Sequence, residues 1–106
     1  MRNFLFVYIT CANAAEARKI AGAVVAERLA ACANIMAPHE AVYWWDGAVQ
    51  KGDEVAVVMK TRAELFDRLK DRIVELHSYE VPCIVALPIE GGHAPFLDWI
   101  KDEVRG

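Results

Sequence analysis

The chain has 106 residues and a formal net charge of −3, a size that predicts one hydrophobic core and one domain over residues 1–106. Its lysines and arginines are spread singly, without the basic patch that binds nucleic acid, so a nucleic-acid partner is not expected. No apolar run approaches the roughly 20 residues of a membrane helix, and no signal-peptide pattern opens the chain, so we expect a cytoplasmic protein without a membrane contact.

The three cysteines argue against a disulfide framework. Cys11, Cys32 and Cys83 lie far apart, are odd in number and form no C-x-x-C pair, which also excludes a zinc-ribbon or thioredoxin-like motif. Free buried thiols are the expected state, although each thiol is a possible ligand for a soft metal.

A strand and a helix are predicted first. The aromatic and β-branched residues from Phe4 to Thr10 predict a buried strand. Asn13 and Glu16 have the spacing of a helix capping box, with Asn in place of Ser or Thr, and apolar residues then recur at helical intervals. This pattern predicts a first helix over roughly residues 14–29.

A hairpin of two strands follows. Residues 32–45 predict a strand interrupted at Pro38, and Asp46-Gly47 comes directly after it. An Asp-Gly pair favours a type I′ turn, whose two central residues both need positive φ. A third strand is predicted over Glu54–Lys60, after a Gly52 that indicates a bulge.

The remaining pattern gives a helix, a strand and a last helix. Thr61–Glu64 repeats the capping-box spacing and predicts a second helix that ends near His77. Pro82 excludes a helix and favours an extended chain, so residues 83–89 predict a fourth strand. Pro95 suits the first turn of the last helix.

The predicted order is strand, helix, strand, strand, helix, strand, helix. Its first six elements form two βαβ-like halves joined by the hairpin. We therefore predict an α+β, ferredoxin-like (split βαβ) sandwich, with a four-stranded antiparallel sheet, two helices on one face and a C-terminal helix.

Several segments of the chain resemble the CutA divalent-cation tolerance proteins. They are residues 26–35 (AERLAACANI), 43–47 (YWWDG), 54–60 (EVAVVMK), 77–84 (HSYEVPCI), and the closing segments 88–92 and 97–100. The resemblance runs in order along nearly the whole chain. It implies a ferredoxin-like protomer in a homotrimer, a non-catalytic role in the tolerance of copper and other divalent ions, and strands 2 and 3 that pair across subunits.

The aromatic hairpin gives an independent reason to expect association. Tyr43, Trp44 and Trp45 precede the turn, and each such side chain can bury roughly 150–250 Å². A monomer would leave that surface in water. The residues predict association, whereas the trimeric symmetry is implied by the resemblance alone.

The resemblance also implies a copper site, formed by a cysteine that ends strand 1 and two adjacent histidines that end helix 2. This sequence matches it in part. His77 is present but Leu76 precedes it, and Cys11 follows Thr10, which occupies the expected cysteine position. His77 and Cys11 are therefore candidate ligands for copper or another divalent cation. The alternative is that His77 caps the end of helix 2.

The resemblance further suggests a ligand cleft between subunits. We expect it to contain Cys32, Tyr43, Trp45, Lys60, Tyr79 and Glu80, together with His77, and to take a soft metal or a small anionic ligand near the positive charge of Lys60. The simpler alternative is that Lys60 and Glu80 pair at a subunit interface.

Two other functions use the same topology. A P-II-like signalling trimer would bind nucleotides in intersubunit clefts, but the tight Asp46-Gly47 turn leaves no long effector loop. A small enzyme could use Lys60, His77 and Glu80 as an acid and base set. Neither a Ser/His/Asp arrangement nor a glycine-rich phosphate loop is present in the sequence, so we expect no catalytic activity.

Overall fold

The computed structural model describes residues 3–105. A short 3₁₀ turn at Ala63–Leu65 leads into the second helix. The strands and α-helices of the described residues are, in chain order, β1 Phe4–Cys11, α1 Ala14–Ala26, β2 Cys32–Trp45, β3 Ala48–Arg62, α2 Phe66–Leu76, β4 Ile84–Pro88 and α3 Ala94–Glu103.

The sheet has the predicted antiparallel, ferredoxin-like form. Its strand order is β2-β3-β1-β4, with every neighbouring pair antiparallel. Helices α1 and α2 contribute Ile20, Val24, Leu69 and Ile73 to a core that also holds alternate residues of β1 and β3. Both helices therefore cover the same face of the sheet, and the predicted fold is confirmed.

The first helix begins as predicted and ends earlier. Asn13 Oδ1 accepts the N–H of Glu16 at 2.8 Å, which is the N-cap half of a capping box. In a complete capping box the Glu16 side chain would accept the N–H of the N-cap residue, Asn13. Here Glu16 Oε1 accepts the N–H of Ala12 at 2.9 Å. The helix ends at Ala26 because Arg28 adopts a left-handed φ of 65°, which an α-helix cannot continue.

The hairpin confirms the predicted turn and corrects the predicted bulge. Asp46 and Gly47 have φ angles of 54° and 76°, as a type I′ turn requires. Gly52 pairs regularly with Ala41, and the register shift lies in β2 between Ile35 and Pro38. The prediction of a bulge at Gly52 was wrong, because the proline interrupts the ladder instead.

The second capping box was also a wrong prediction. Thr61 is the penultimate residue of β3, is fully buried, and its hydroxyl donates to the carbonyl oxygen of Leu29 at 2.7 Å. Helix α2 consequently starts at Phe66. A buried threonine in a strand satisfies its hydroxyl across the fold, and sequence spacing alone cannot distinguish that role from a cap.

The outer part of the hairpin extends beyond the rest of the sheet. Strand β1 pairs with β3 from Val55 to Arg62, so residues 48–54 have only β2 as a neighbour. We call residues 39–54 the arm. Its large apolar side chains are exposed, as the sequence predicts: Val42 59%, Tyr43 44%, Trp44 75%, Trp45 52% and Val49 53%.

Candidate functional site

The linker between α2 and β4 is fastened to the end of β1 through His77. The carbonyl oxygen of Thr10 lies 2.7 Å from His77 Nε2, and because a carbonyl can only accept, Nε2 carries the hydrogen. The N–H of Tyr79 donates to Nδ1 at 3.0 Å. The imidazole therefore bridges a strand and a linker. The C-cap residue of α2 is His77, whose backbone N–H donates to the carbonyl oxygen of Ile73 at 2.9 Å.

Glu16 completes this junction from the first turn of α1. One carboxylate oxygen accepts the N–H of Ala12, and the other accepts the N–H of Ser78 at 2.8 Å. Burial alone would raise the pKa of Glu16, but these hydrogen bonds and the nearby His77 outweigh it and lower that pKa. The carboxylate is thus held in its ionised form at the meeting point of three chain segments.

Cys11 lies beside these two residues. The ligand atoms of Cys11, Glu16 and His77 all lie within 4.8 Å of one another, and this group is the single such cluster of His, Cys, Asp and Glu found among residues 3–105. Burial, with the negative charges of Glu16 and Glu54, raises the pKa of the Cys11 thiol to about 12. The structure therefore brings together both of the predicted metal ligands and adds a carboxylate.

The donor types of the cluster fit a copper or zinc ion, which accept thiolate, imidazole and carboxylate. Bond lengths of about 2.0–2.3 Å in a tetrahedral site place ligand atoms roughly 3.5 Å apart, so the cluster needs only a modest contraction. Two rearrangements are also required. The Cys11 thiol must lose its proton, and His77 must exchange the N–H of Tyr79 for the ion, because Nδ1 has one lone pair.

A cleft of about 470 Å³ opens between the arm and the same linker, within the size range of small-molecule sites. The arm contributes alternate residues from one face of β2, and the linker contributes the opposite wall. The lining residues are Thr10, Ala41, Tyr43, Trp45, Glu54, Tyr79, Glu80, Val81 and Cys83. The cleft is therefore present within one protomer.

Glu54 and Tyr79 connect the two walls of the cleft. The Tyr79 hydroxyl donates to Glu54 Oε2 at 2.9 Å, while Glu54 Oε1 lies 4.0 Å from Nε2 of His39. Burial, the hydrogen bond to Glu54 and the negative charge of Glu54 all raise the pKa of Tyr79. The Glu54 side chain is only 14% exposed, so its carboxylate is largely removed from water.

The predicted ligand residues fall into two groups. Tyr43, Trp45, Tyr79 and Glu80 line the cleft. Cys32 and Lys60 lie directly opposite each other in β2 and β3, and Lys60 Nζ donates to Asn34 Oδ1 at 2.6 Å. Cys32 and Lys60 therefore lie toward the end of the sheet that is away from the cleft.

The separation of Lys60 also weakens the acid and base set of the enzyme alternative. Lys60 is opposite Phe6 in the sheet, and His77 contacts Thr10, four residues further along β1. At about 3.3 Å per residue this is roughly 13 Å. Lys60 and His77 therefore do not converge within one protomer.

The cysteines differ in their surroundings. Cys11 is buried as predicted, Cys32 is half-buried and Cys83 is exposed, and all three are free thiols. At Cys83 partial burial and the negative charge of Glu54 raise the thiol pKa, opposed by a hydrogen bond with Thr10. The expectation of a buried thiol is thus met at Cys11 and not at Cys83.

Two residues of the site were not found from the sequence. Glu16 fits a capping box, and its spacing hides the contact it makes 62 residues away with Ser78. Glu54 is the first residue of the predicted third strand. A polar residue at the end of a strand is usually in contact with solvent, so this position gave no sign of a site. Its register opposite His39 is the signal that a hairpin alignment of the sequence could have used.

Comparison with known proteins assigns the family. Residues 5–103 match the sequence profile of the CutA1 divalent ion tolerance protein family. The chain belongs to this family. A CutA divalent-cation tolerance protein from Archaeoglobus fulgidus is 43% identical over 100 residues, which cover 94% of this chain and 97% of the relative. The chloroplastic CutA 1 protein of rice is 42% identical over 101 residues, which cover 95% of this chain but 57% of the relative.

Solved CutA1 structures confirm the fold. The rice protein superposes with a TM-score of 0.95 at 41% identity, covering 97% of this chain and 94% of that one. The structure from Archaeoglobus fulgidus, described as a periplasmic divalent cation tolerance protein, gives a TM-score of 0.93 at 42% identity, covering 96% of this chain and 99% of that one. Within residues 3–105, no helix is long and apolar enough to cross a membrane.

Proposed function

We propose that this CutA1 family member acts without catalysis in divalent-cation tolerance, and that it binds copper or another divalent cation through Cys11, Glu16 and His77. The observation that carries the proposal is the convergence of a thiol, a carboxylate and an imidazole within 4.8 Å. Bound there, the cation would be shielded from water and from other ligands. Glu54 adds a further negative charge close enough to raise the Cys11 pKa, which favours a cation over an anion.

The proposal includes a homotrimer in which the arm meets a neighbouring subunit. Its support is the exposed aromatic surface of the arm, where Trp44 is 75% exposed and Trp45 52%. At ~25 cal/mol per Å², each buried ring contributes a few kcal/mol to association before entropy is subtracted. Because the cleft opens beside the arm, a partner there would form one of its boundaries, and this supports a ligand cleft at the subunit seam.

A cytoplasmic location is also proposed. It is supported by the three cysteines, which are unpaired in the fold, since reducing compartments keep thiols in this state. Relatives are described from other compartments: the rice protein is described as chloroplastic and the Archaeoglobus fulgidus structure as periplasmic. Fractionation of cells producing the full-length protein would decide between these compartments.

Calorimetric titration with Cu(I), Cu(II) and Zn(II) tests the metal site. We expect Cys11→Ser and His77→Gln each to weaken binding by about tenfold or more, because each removes a direct ligand. Cys32→Ser and His93→Gln are matched controls, since they change the same residue types outside the cluster. Loss of binding in the controls, with retention in Cys11→Ser and His77→Gln, would place the metal elsewhere and contradict the proposal.

A further inference from the structure

We propose that the cleft between the arm and the linker is a binding site for a small organic cation, an ammonium group on a short apolar stem. This inference goes beyond the metal site proposed above and does not depend on it. The sequence predicts a small anionic ligand near Lys60 in a cleft between subunits, whereas Lys60 is not among the residues that line this cleft within one protomer.

The charged side chains that line the cleft within one protomer are negative. Glu54 and Glu80 both line it, and no lysine or arginine is among the lining residues that the structure describes. Within one protomer, Lys60 donates a hydrogen bond to Asn34 and does not line the cleft. After burial, the negative charge of Glu54 is the next cause that raises the pKa of the Cys83 thiol, another lining residue, as a nearby carboxylate does. An anionic ligand would be repelled.

The Glu54 carboxylate has room for a further hydrogen-bond donor. One oxygen of this largely buried carboxylate accepts the Tyr79 hydroxyl at 2.9 Å. The other has His39 Nε2 at 4.0 Å, which is beyond hydrogen-bond distance. A carboxylate oxygen accepts more than one donor, so an ammonium N–H in the cleft could bond to Glu54 without displacing Tyr79.

Aromatic rings also line the cleft. Tyr43, Trp45 and Tyr79 border the same cleft as the two carboxylates, and aromatic faces attract cations, tryptophan most strongly. Rings combined with carboxylates are the usual recognition surface for an ammonium group.

The lining also distinguishes an organic cation from a bare hard ion. Calcium takes six to eight oxygen ligands, and magnesium six in an octahedron, whereas the charged oxygens of this cleft come from Glu54 and Glu80 alone. Ala41 and Val81 give the cleft an apolar wall, which suits an alkyl stem and would leave a hydrated ion without partners.

The test uses the full-length protein as purified and three ligands of similar shape and different charge. Calorimetry or NMR titration with n-butylammonium should give saturable binding, whereas n-butanol and n-butyrate should bind at least about tenfold more weakly. Equal binding of n-butanol would mean that the cleft takes apolar chains only, and tighter binding of n-butyrate would mean an anion site. Either result overturns the proposal.

A pair of isosteric variants locates the cation. Glu54→Gln keeps an oxygen that accepts the Tyr79 hydroxyl but removes the charge, and we expect it to weaken n-butylammonium binding by about tenfold or more. Asp53→Asn removes the same charge from the adjacent exposed residue and should change affinity by less than about twofold. Equal effects of the two variants would show long-range attraction without a site. Trp45→Leu keeps both carboxylates, so an affinity unchanged by that variant would refute the aromatic contribution.

Discussion

The two parts of β3 have opposite environments: residues 48–54 include Gln50, Lys51, Asp53 and Glu54, whereas residues 55–59, which follow them, are apolar. Residues Val55–Met59 are five consecutive buried positions, flanked by β1 on one side and β2 on the other. In the arm, β3 has β2 as its one neighbour, and Val49 is 53% exposed. A strand with two neighbours is covered within the protomer, whereas an isolated two-stranded ribbon is marginally stable in water.

The same contrast separates the two candidate sites. The junction at Cys11, Glu16 and His77 belongs to the covered part, and its carboxylate and imidazole atoms are engaged in hydrogen bonds. The cleft belongs to the arm, and its Glu54 has an oxygen free to accept another donor. The covered part is therefore suited to holding structure or a desolvated ion, and the arm is suited to contacts with partners and ligands.

The largest predicted effect is on the apolar surface of the arm. Trp44→Ser removes a side chain that is 75% exposed. We expect the free energy of self-association to become less favourable by about 2–4 kcal/mol for each Trp44 ring that is buried at a subunit contact. Light scattering during size-exclusion chromatography over a dilution series measures this directly. Wild-type protein should persist as an oligomer at concentrations where the variant dissociates.

A valine pair supplies the control for this experiment. Val49→Ser changes the arm, and Val74→Ser changes an equally exposed position on α2, since the two valines are 53% and 49% exposed. We expect only the arm variant to lower the association constant. If the protein is monomeric in dilute solution, or if both variants dissociate it equally, the arm is not the association surface.

Much of the fold could be predicted because local patterns and tertiary packing agree in it. The hairpin turn at Asp46-Gly47 is set by the φ angles that two residues can adopt, and β2 has the bounds expected from its composition. Failures occurred where a distant partner decides the outcome. Thr61 bonds to Leu29 across the fold, so its side chain is unavailable to cap a helix.

The candidate site was harder to predict than the fold. Spacing near His77 and the resemblance of this segment identified the linker, but its partners are distant in the chain. His77 contacts Thr10 of β1, 67 residues away, and Ser78 donates to Glu16 of α1, 62 residues away. Glu54 joins the cleft through strand register. Lys60 and Cys32 lie opposite each other in the sheet, apart from the cleft residues of the same protomer, and their place in a cleft between subunits stays a prediction. Long-range contacts of this kind leave no periodic signal in the sequence.

The pH dependence of stability separates the junction from the arm. The pKa of Glu16 is lowered in the folded state, so its carboxylate contributes stability above the unfolded-state pKa of about 4.5. That stability is lost as pH falls through the lower folded-state pKa. Glu16→Gln should lower the free energy of unfolding by about 1–2 kcal/mol near neutral pH, with less further loss in acid than wild type.

Glu40→Gln is the matched change on the arm. Glu40 is exposed, and its replacement should alter the free energy of unfolding by no more than about 0.5 kcal/mol at any pH. Urea unfolding at intervals from pH 7 to pH 3 compares the three proteins. A Glu16→Gln variant whose stability falls in acid as steeply as that of wild type would show that the junction carboxylate does not cause the acid sensitivity.

The smallest predicted effect compares two glycines, one at the tip of the arm and one in the helix-covered part. Gly47 has a φ of 76°, where a Cβ costs about 1–2 kcal/mol, so Gly47→Ala should destabilise the hairpin. Gly22 lies within α1, and an added Cβ would meet nothing within 4 Å. Gly22→Ala should therefore stabilise the protein by about 0.5–1 kcal/mol through helix propensity and lower unfolded-state entropy. Thermal unfolding of both variants measures the two signs. If Gly47→Ala stabilised the protein, the turn at the tip of the arm would not have the type I′ conformation. The positions of Tyr43, Trp44 and Trp45 beside that turn would then have to be revised.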